Sequence, residues 1–353
     1  MRPRTLILPL VLLTLLLIAI LRLVGFIHLF FTRAGAGALT QEQIRDAHLA
    51  SLGAHDGRKM LIPKIVHQVF HDWGHVGEGR EGNETMPEDW EEVRRGCVER
   101  NGGWEFMLWT EIKSREFIRE NYPWFLDTYD GYRFPVQRVD TVRYFLLRHY
   151  GGIYLDLDNG CLTNLEPLLY YPAWLTDGGR GALSNNILAS TPMHPFWVLL
   201  TDSLIPYNYN YLFPYITISY ASGQWFETAI WERYHGSKKT MKEEEKVYRI
   251  MMDDRVQDRV GEGKWVFFTQ ERGGTWVNWD NRLFLWVGDH LVLLAVGGVV
   301  LGGGGCWMNF LSVVDERIAE GWYILKSVCL LTYRTFKKQA PESTQLQLNT
   351  YRI

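Results

Sequence analysis

Residues able to do chemistry concentrate in one stretch, "RVDTVRYFLLRHYGGIYLDLDNG", positions 138–160. Asp156 and Asp158 stand one residue apart at the end of an apolar run, with no basic residue among their immediate neighbours. Two close carboxylates repel unless one takes a proton or a cation lies between them. Oxygen-only ligation suits a hard divalent ion such as Mn²⁺ or Mg²⁺, whose open positions are commonly filled by substrate phosphates. An isolated D-x-D serves equally well to cap a turn, here before Asn159-Gly160. Upstream, Asp140 and Arg143 are three apart and share a helix face. A carboxylate beside a guanidinium can orient a vicinal diol, and the same pair can be a plain helix-surface ion pair.

The elements needed to hold these groups are legible. Pro135 suits the first position of a helix running to about His149, and Gly151-Gly152 ends it. "IYLDLD" alternates as a strand: Ile153, Leu155 and Leu157 point one way, Tyr154, Asp156 and Asp158 the other. In open α/β sheets, ligands bind at the carboxyl ends of strands, which is where both aspartates fall. "LIPKIVHQVF", 61–70, has the β-branched content of a buried first strand and leads into a Gly-rich loop, 72–83. A helix over 88–99, a strand over 104–109 and a helix over 111–120 follow. Strands alternating with helices imply a mainly parallel sheet covered on both faces. The charged run 238–246 is expected to be solvated.

The 138–160 stretch resembles the signature of the glycosyltransferases containing the DXD sugar-binding motif, with its Asp-x-x-Arg-Tyr helix, Gly-Gly-x-Tyr turn and Asp-x-Asp strand end. "IPKIVHQVF" is similar to that family's opening strand, and "SNNILASTPMHPFW", 184–197, to a later block. The resemblance covers 61–230 well and 265–290 loosely. It implies an α/β fold of the GT-A type, with a Rossmann-like, mixed and mainly parallel sheet flanked by helices. It also implies a divalent metal and transfer with retention of anomeric configuration. Carried across by position, Asp140 and Arg143 hold donor-sugar hydroxyls, Tyr154 lines the donor site, and Asp156 and Asp158 hold sugar and metal. His67 and Gln68, ending the first strand, are candidates for the nucleotide; Asn185 and Asn186 are candidates nearer the acceptor. His194, before Pro195, is expected to shape a loop. Where the family often supplies a late His to the metal or diphosphate, this chain has Val277, so Asp280 or His290 are the candidate replacements. "ASGQWF", 221–226, stands where Thr-Gly-Pro is common, so the acceptor side is expected to differ.

Composition bounds the rest. A net charge of -3 gives no basic footprint for nucleic acid. Two apolar stretches, 6–31 and 291–314, have the length of membrane spans, and basic residues flank both outer ends, which the positive-inside rule puts in the cytosol. The expected organisation is a cytosolic tip and anchor over 1–31, a stem over 32–60, a lumenal domain over 61–290, a second span over 291–314 and a cytosolic tail over 315–353. Cys97 and Cys161 then lie in an oxidising compartment and can pair, and 83–85 is a glycosylation sequon. With two flanking spans, the chain is similar to the fungal subunits that mannosylate inositol phosphoceramide. That likeness implies a Golgi membrane enzyme using GDP-mannose, a lipid acceptor and a separate multi-pass regulatory subunit. The aromatic stretch 207–220 suits a membrane interface, and equally a core. The competing expectations are transfer to glycoprotein glycans, and a silent sugar-nucleotide-binding or assembly subunit.

Overall fold

The computed structural model describes residues 4–31, 33–35, 37–54, 57–71, 86–177, 182–237, 240–252 and 266–270, with 279–280, 282–283, 286 and 290. The elements, in chain order, are α1 (Arg4–Phe31), α2 (Gln41–Ala54), β1 (Ile65–Val69), α3 (Glu88–Arg100), β2 (Glu105–Trp109), α4 (Glu111–Asn121) and α5 (Leu126–Asp130). They continue with α6 (Pro135–Tyr150), β3 (Gly152–Leu155), β4 (Asn159–Cys161), β5 (Ala173–Asp177), β6 (Ser184–Ser190), α7 (Pro195–Tyr207), α8 (Pro214–Ala221), α9 (Gln224–Ser237), β7 (Tyr248–Met251) and β8 (Phe268–Gln270).

Six strands form one sheet in the order β2-β1-β3-β6-β5-β7, and β4 pairs with β8 beside it. β1 is parallel to both β2 and β3, and β5 is parallel to β7; β6 runs antiparallel to its two neighbours. The sheet is thus mixed and mainly parallel, as the expected fold class requires. Strand alternation divides the core into two layers. Val69, Tyr154, Leu175 and Leu188 face α6, α7 and α9 through Phe145, Trp197 and Trp231. Val66, Ile153, Leu155 and Ile187 face the opposite layer, which contains Ile44, Cys97 and Leu168.

Two glycines allow α6 to pass directly into the central strand. Gly151 and Gly152 have φ of +66° and +88°, and a Cβ on Gly152 would stand 2.6 Å from the carbonyl oxygen of Ile65. Only a residue without a side chain adopts that backbone there without strain. Beyond β3 the chain turns, with the Asn159 amide donating to the Asp156 carbonyl at 3.0 Å. A disulfide, Cys97–Cys161, ties α3 to β4.

Part of the segment expected as a stem packs on the domain. The Leu39 amide donates to the Arg249 carbonyl at 2.8 Å, and buried Gln41 donates to the Met251 and Met252 carbonyls and accepts from the Val266 and Phe267 amides. Ala34 is held by Glu232 and Trp231 of α9. The backbone groups of Ala34 and Leu39 thus find partners on α9 and β7.

The expected membrane-spanning helices are not supported. Among the described residues, no helix is long and apolar enough to cross a membrane. Within α1, side chains are described only at 10–18, 20–22 and 24–25, where the large apolar ones are exposed. The second expected span, 291–314, lies outside the described residues, as do the sequon and Val277. The chain divides into two compact units, Met1–Trp276 and Val277–Ile353. In the second, Asp280 is buried, while the His290 ring bonds the Trp286 carbonyl at 2.8 Å and stacks on its indole.

Candidate active site

The site is built where α6, the end of β3 and the start of β6 meet. α6 brings Asp140, Arg143 and Tyr144 to the sheet, all three buried. Arg143 is the hub. Its Nη2 lies 3.3 Å from Asp140 Oδ1 and its Nη1 3.2 Å from Asp156 Oδ1. Nη1 also donates to the Asn185 carbonyl at 2.6 Å, and the guanidinium lies over the Tyr154 ring at 4.6 Å. The chain neighbourhood of Asp156 lacks a base, but the fold supplies one from thirteen residues upstream.

Tyr154 and Asp156 share a face, as alternation requires, and the tyrosine hydroxyl donates to Asp156 Oδ1 at 2.6 Å. The Asp156 amide donates to the Asn186 carbonyl at 2.9 Å, which fixes the strand end. Asp156 keeps a side-chain exposure of 29%, whereas Arg143 has 5%. The acidic pair therefore opens outward over a buried cation. Asp158 lies in the turn beyond β3 and is partly buried.

Asp140 is fully engaged: it accepts from Asn185 Nδ2 at 2.9 Å and from Ser222 Oγ at 3.1 Å. Asn185 Nδ2 also reaches the Tyr144 hydroxyl at 3.2 Å, and that hydroxyl donates to the Ser222 carbonyl at 2.9 Å. Burial pushes the Asp140 carboxyl up to about 6, outweighing the opposing pull of Arg143, and Asp156 adds to the rise. Asp158 is likewise raised to about 6, first by burial and then by the charge of Asp156. Burial alone would lower the Arg143 pKa, but the negative charges of Asp156 and Asp140 outweigh it and keep the guanidinium protonated.

His67, opposite Tyr154 in the sheet register, lies deep in the core. It is buried between the Gly151 carbonyl, 3.0 Å from Nε2, and the Trp109 indole N–H, which donates to Nδ1 at 3.2 Å. The second contact makes Nδ1 an acceptor, so the neutral Nε2–H donates to Gly151. Burial lowers its pKa to about 4. In this setting the ring clamps the glycine turn to β2. Gln68, also buried, has both amide atoms unpaired among the described residues, and remains a candidate. Asn186 turns its side chain to Asn159, Ser184 and Thr176, so it supports the strand end. His194 caps α7, accepting from the Phe196 amide at 3.2 Å. Asp280 and His290 belong to the second unit. Three participants were not singled out from the sequence: Tyr144, Ser222 and the buried acid Glu227. Only the 221–226 departure pointed toward the last two.

Among the described residues no group of three or more metal-type side chains converges. The two carboxylates of 156 and 158 fit a hard divalent ion that draws its other ligands from a diphosphate and water. The mutual repulsion that raises Asp158 is the kind of strain such an ion relieves.

A strand-end acidic pair, a buried arginine and a mixed sheet define a glycosyltransferase domain of the DXD class. The profile described as the glycosyltransferase sugar-binding region containing DXD motif matches residues 87–174. Two mannosyl phosphorylinositol ceramide synthases of Saccharomyces cerevisiae are 33% and 35% identical, over 75% and 69% of this chain and 66% and 59% of their own lengths. Inositol phosphoceramide mannosyltransferase 2 of Schizosaccharomyces pombe is 34% identical over 74% of this chain and 71% of that protein. The chain belongs to the DXD glycosyltransferase family that includes these fungal mannosyltransferases. It spans somewhat under two thirds of the length of the two S. cerevisiae relatives. A solved structure, the PaToxG glycosyltransferase, aligns at TM-score 0.36 and 14% identity over 54% of this chain and 77% of that one, too distant to argue from.

Proposed function

We propose that this protein transfers mannose from GDP-mannose to inositol phosphoceramide, with retention of configuration. The observation that carries a sugar-transfer role is Arg143, fixed between Asp140 and Asp156 at 3.3 and 3.2 Å and backed by Tyr154. A buried cation with two carboxylates beside it presents both donors and acceptors to sugar hydroxyls. Asp156 and Asp158 are the residues to hold Mn²⁺ or Mg²⁺, which would neutralise charge on the departing diphosphate. In the transfer, the acceptor oxygen bonds to the anomeric carbon as the carbon–oxygen bond to the diphosphate breaks. The acceptor's proton passes to a leaving phosphate oxygen, so no enzymic base is assigned. Arg143 and Asp140 orient the sugar, and the partly buried setting strengthens these contacts as charge develops. Gln68, with an unpaired amide at the end of β1, is the residue we assign to the nucleotide.

Support for the lipid acceptor comes from the named relatives and from the surface. Leu212 is 90% exposed and Tyr209 64% exposed on the α7–α8 connection, and apolar side chains of α1 are exposed from Leu10 to Val24. Aromatic and apolar groups in such numbers suit a bilayer interface. The Cys97–Cys161 disulfide supports a lumenal, oxidising setting such as the Golgi. The deciding experiment incubates membranes with labelled GDP-mannose and separates lipid extract from protein. We expect label in the lipid fraction, abolished by chelator; label in protein alone would favour transfer to glycoprotein glycans.

A further inference from the structure

Glu227 stands in the first turn of α9, 0% exposed, and neither carboxyl oxygen has a hydrogen-bond partner. A buried acid without partners is costly, and in native proteins such a group calls for an explanation. Its neighbours differ: Asp140, Asn185, Tyr144 and Ser222 are all bonded to one another. The fold sets Glu227 against this network. Its amide donates to the Gly223 carbonyl at 3.0 Å, and a Cβ on Gly223 would stand 3.5 Å from Asp140 Oδ2. From α9, Glu227 faces the charges of Arg143 and Asp140 and the phenol of Tyr144, all on α6.

The setting opposes ionisation of this acid. Burial pushes Glu227 well above the usual carboxylate range against the pull of Arg143, which Asp140 and Asp156 already share, and the charge of Asp140 adds to the rise. A neutral carboxyl offers one O–H donor and a carbonyl acceptor. Neither has a partner among the described residues. An apolar side chain of the same size would fill this position at no cost in hydrogen bonding, and such replacements are neutral to stabilising.

We propose that Glu227 is a positioning residue of the donor-sugar pocket, a buried carboxyl whose hydrogen bonds are made only when a sugar is held by Asp140 and Arg143. Asp140 now accepts from Asn185 and Ser222; a sugar hydroxyl that takes one of those places frees a donor, and Glu227 is the vacant partner beside it. The inference rests on the sugar-nucleotide role proposed above. It predicts a trade between the stability of the empty protein and affinity for the donor.

The test compares wild-type, Glu227→Leu and Glu227→Gln full-length protein by thermal melting, with and without GDP-mannose and Mn²⁺, and by transfer kinetics. Glu227→Leu should melt higher than wild type when empty and show a smaller shift with GDP-mannose. Its donor KM should rise about tenfold with kcat within about twofold, the pattern of lost uniform binding. Glu227→Gln, neutral and able to hydrogen-bond, should keep donor KM within about threefold of wild type. A leucine variant with wild-type KM and full ligand shift would make Glu227 a mere packing defect and overturn the proposal. A glutamine variant impaired tenfold overturns it too, and decides alone if the leucine variant does not fold. No shift of the wild type with GDP-mannose overturns the donor assignment itself, whereas a wild-type shift shared in full by Glu227→Leu overturns only the role given to Glu227.

Discussion

Arg143 cannot be exchanged for lysine without loss, because one ammonium cannot reproduce a fork that meets Asp140, Asp156 and the Asn185 carbonyl together. Arg143→Lys is expected to cut transfer by about a hundredfold or more, and Arg143→Ala to cost about 1.5–3 kcal/mol of stability by removing its charged contacts with Asp140 and Asp156. Urea titration beside activity measurement checks both. Asp158→Ala should behave in the opposite way: a strand-end carboxylate pushed up to about 6 contributes little to folding. Transfer should vanish while the melting temperature stays level or rises, and near-normal turnover with Mn²⁺ would dismiss the metal assignment. Asp140 gives the pH test. Its folded pKa of about 6 lies above the ordinary 3.8, so the folded state holds the proton more firmly than the unfolded chain. This group's contribution therefore falls as pH rises from 3.8 to about 6, and is constant beyond. Asp140→Asn should flatten the melting profile relative to wild type across that interval.

At the scale of elements, the α6–β3 junction sets the geometry of the site. Gly152→Ala would place a Cβ 2.6 Å from the Ile65 carbonyl at φ +88°. We expect a loss of about 2 kcal/mol or more, read by denaturant unfolding, with a matching fall in transfer as Asp156 shifts. The glycine pair and Pro135 bounded α6 in the sequence itself, since local sterics alone dictate where such a helix starts and stops. α3, β2 and α4 were also legible to within a residue or so. The first strand is shorter than its apolar run, Ile65–Val69 against 61–70, because the Leu61 and Ile62 amides bond the Leu169 carbonyl and not a strand. His67 shows the limit of local reasoning. Strand position gave it the right place in the chain, while packing decided that its two ring nitrogens meet Trp109 and Gly151.

For the molecule as a whole, the disulfide joins residues 64 apart and encloses β2, α4 and α6 in one loop. Cys97→Ala with Cys161→Ala, or reduction, should cost about 2–5 kcal/mol, seen as a lower melting temperature under reducing conditions. Ala34 is fastened to Glu232 and Trp231 of α9, and Leu39 to β7.

By itself, the sequence determined the class of fold, the acidic pair and the helix that faces it, because these follow from side-chain periodicity and from glycine and proline sterics within a few dozen residues. It carried the family signature for the same reason: the signature is local. Tertiary structure alone decided that Arg143 neutralises Asp156, that His67 belongs to the core, that Asn185 and Ser222 share Asp140, and that Glu227 waits unpaired behind them. Such pairings join segments up to about ninety positions apart, and burial sets their charge states. Neither sequence separation nor residue type encodes which buried groups meet; the packing of α6, β6 and α9 does.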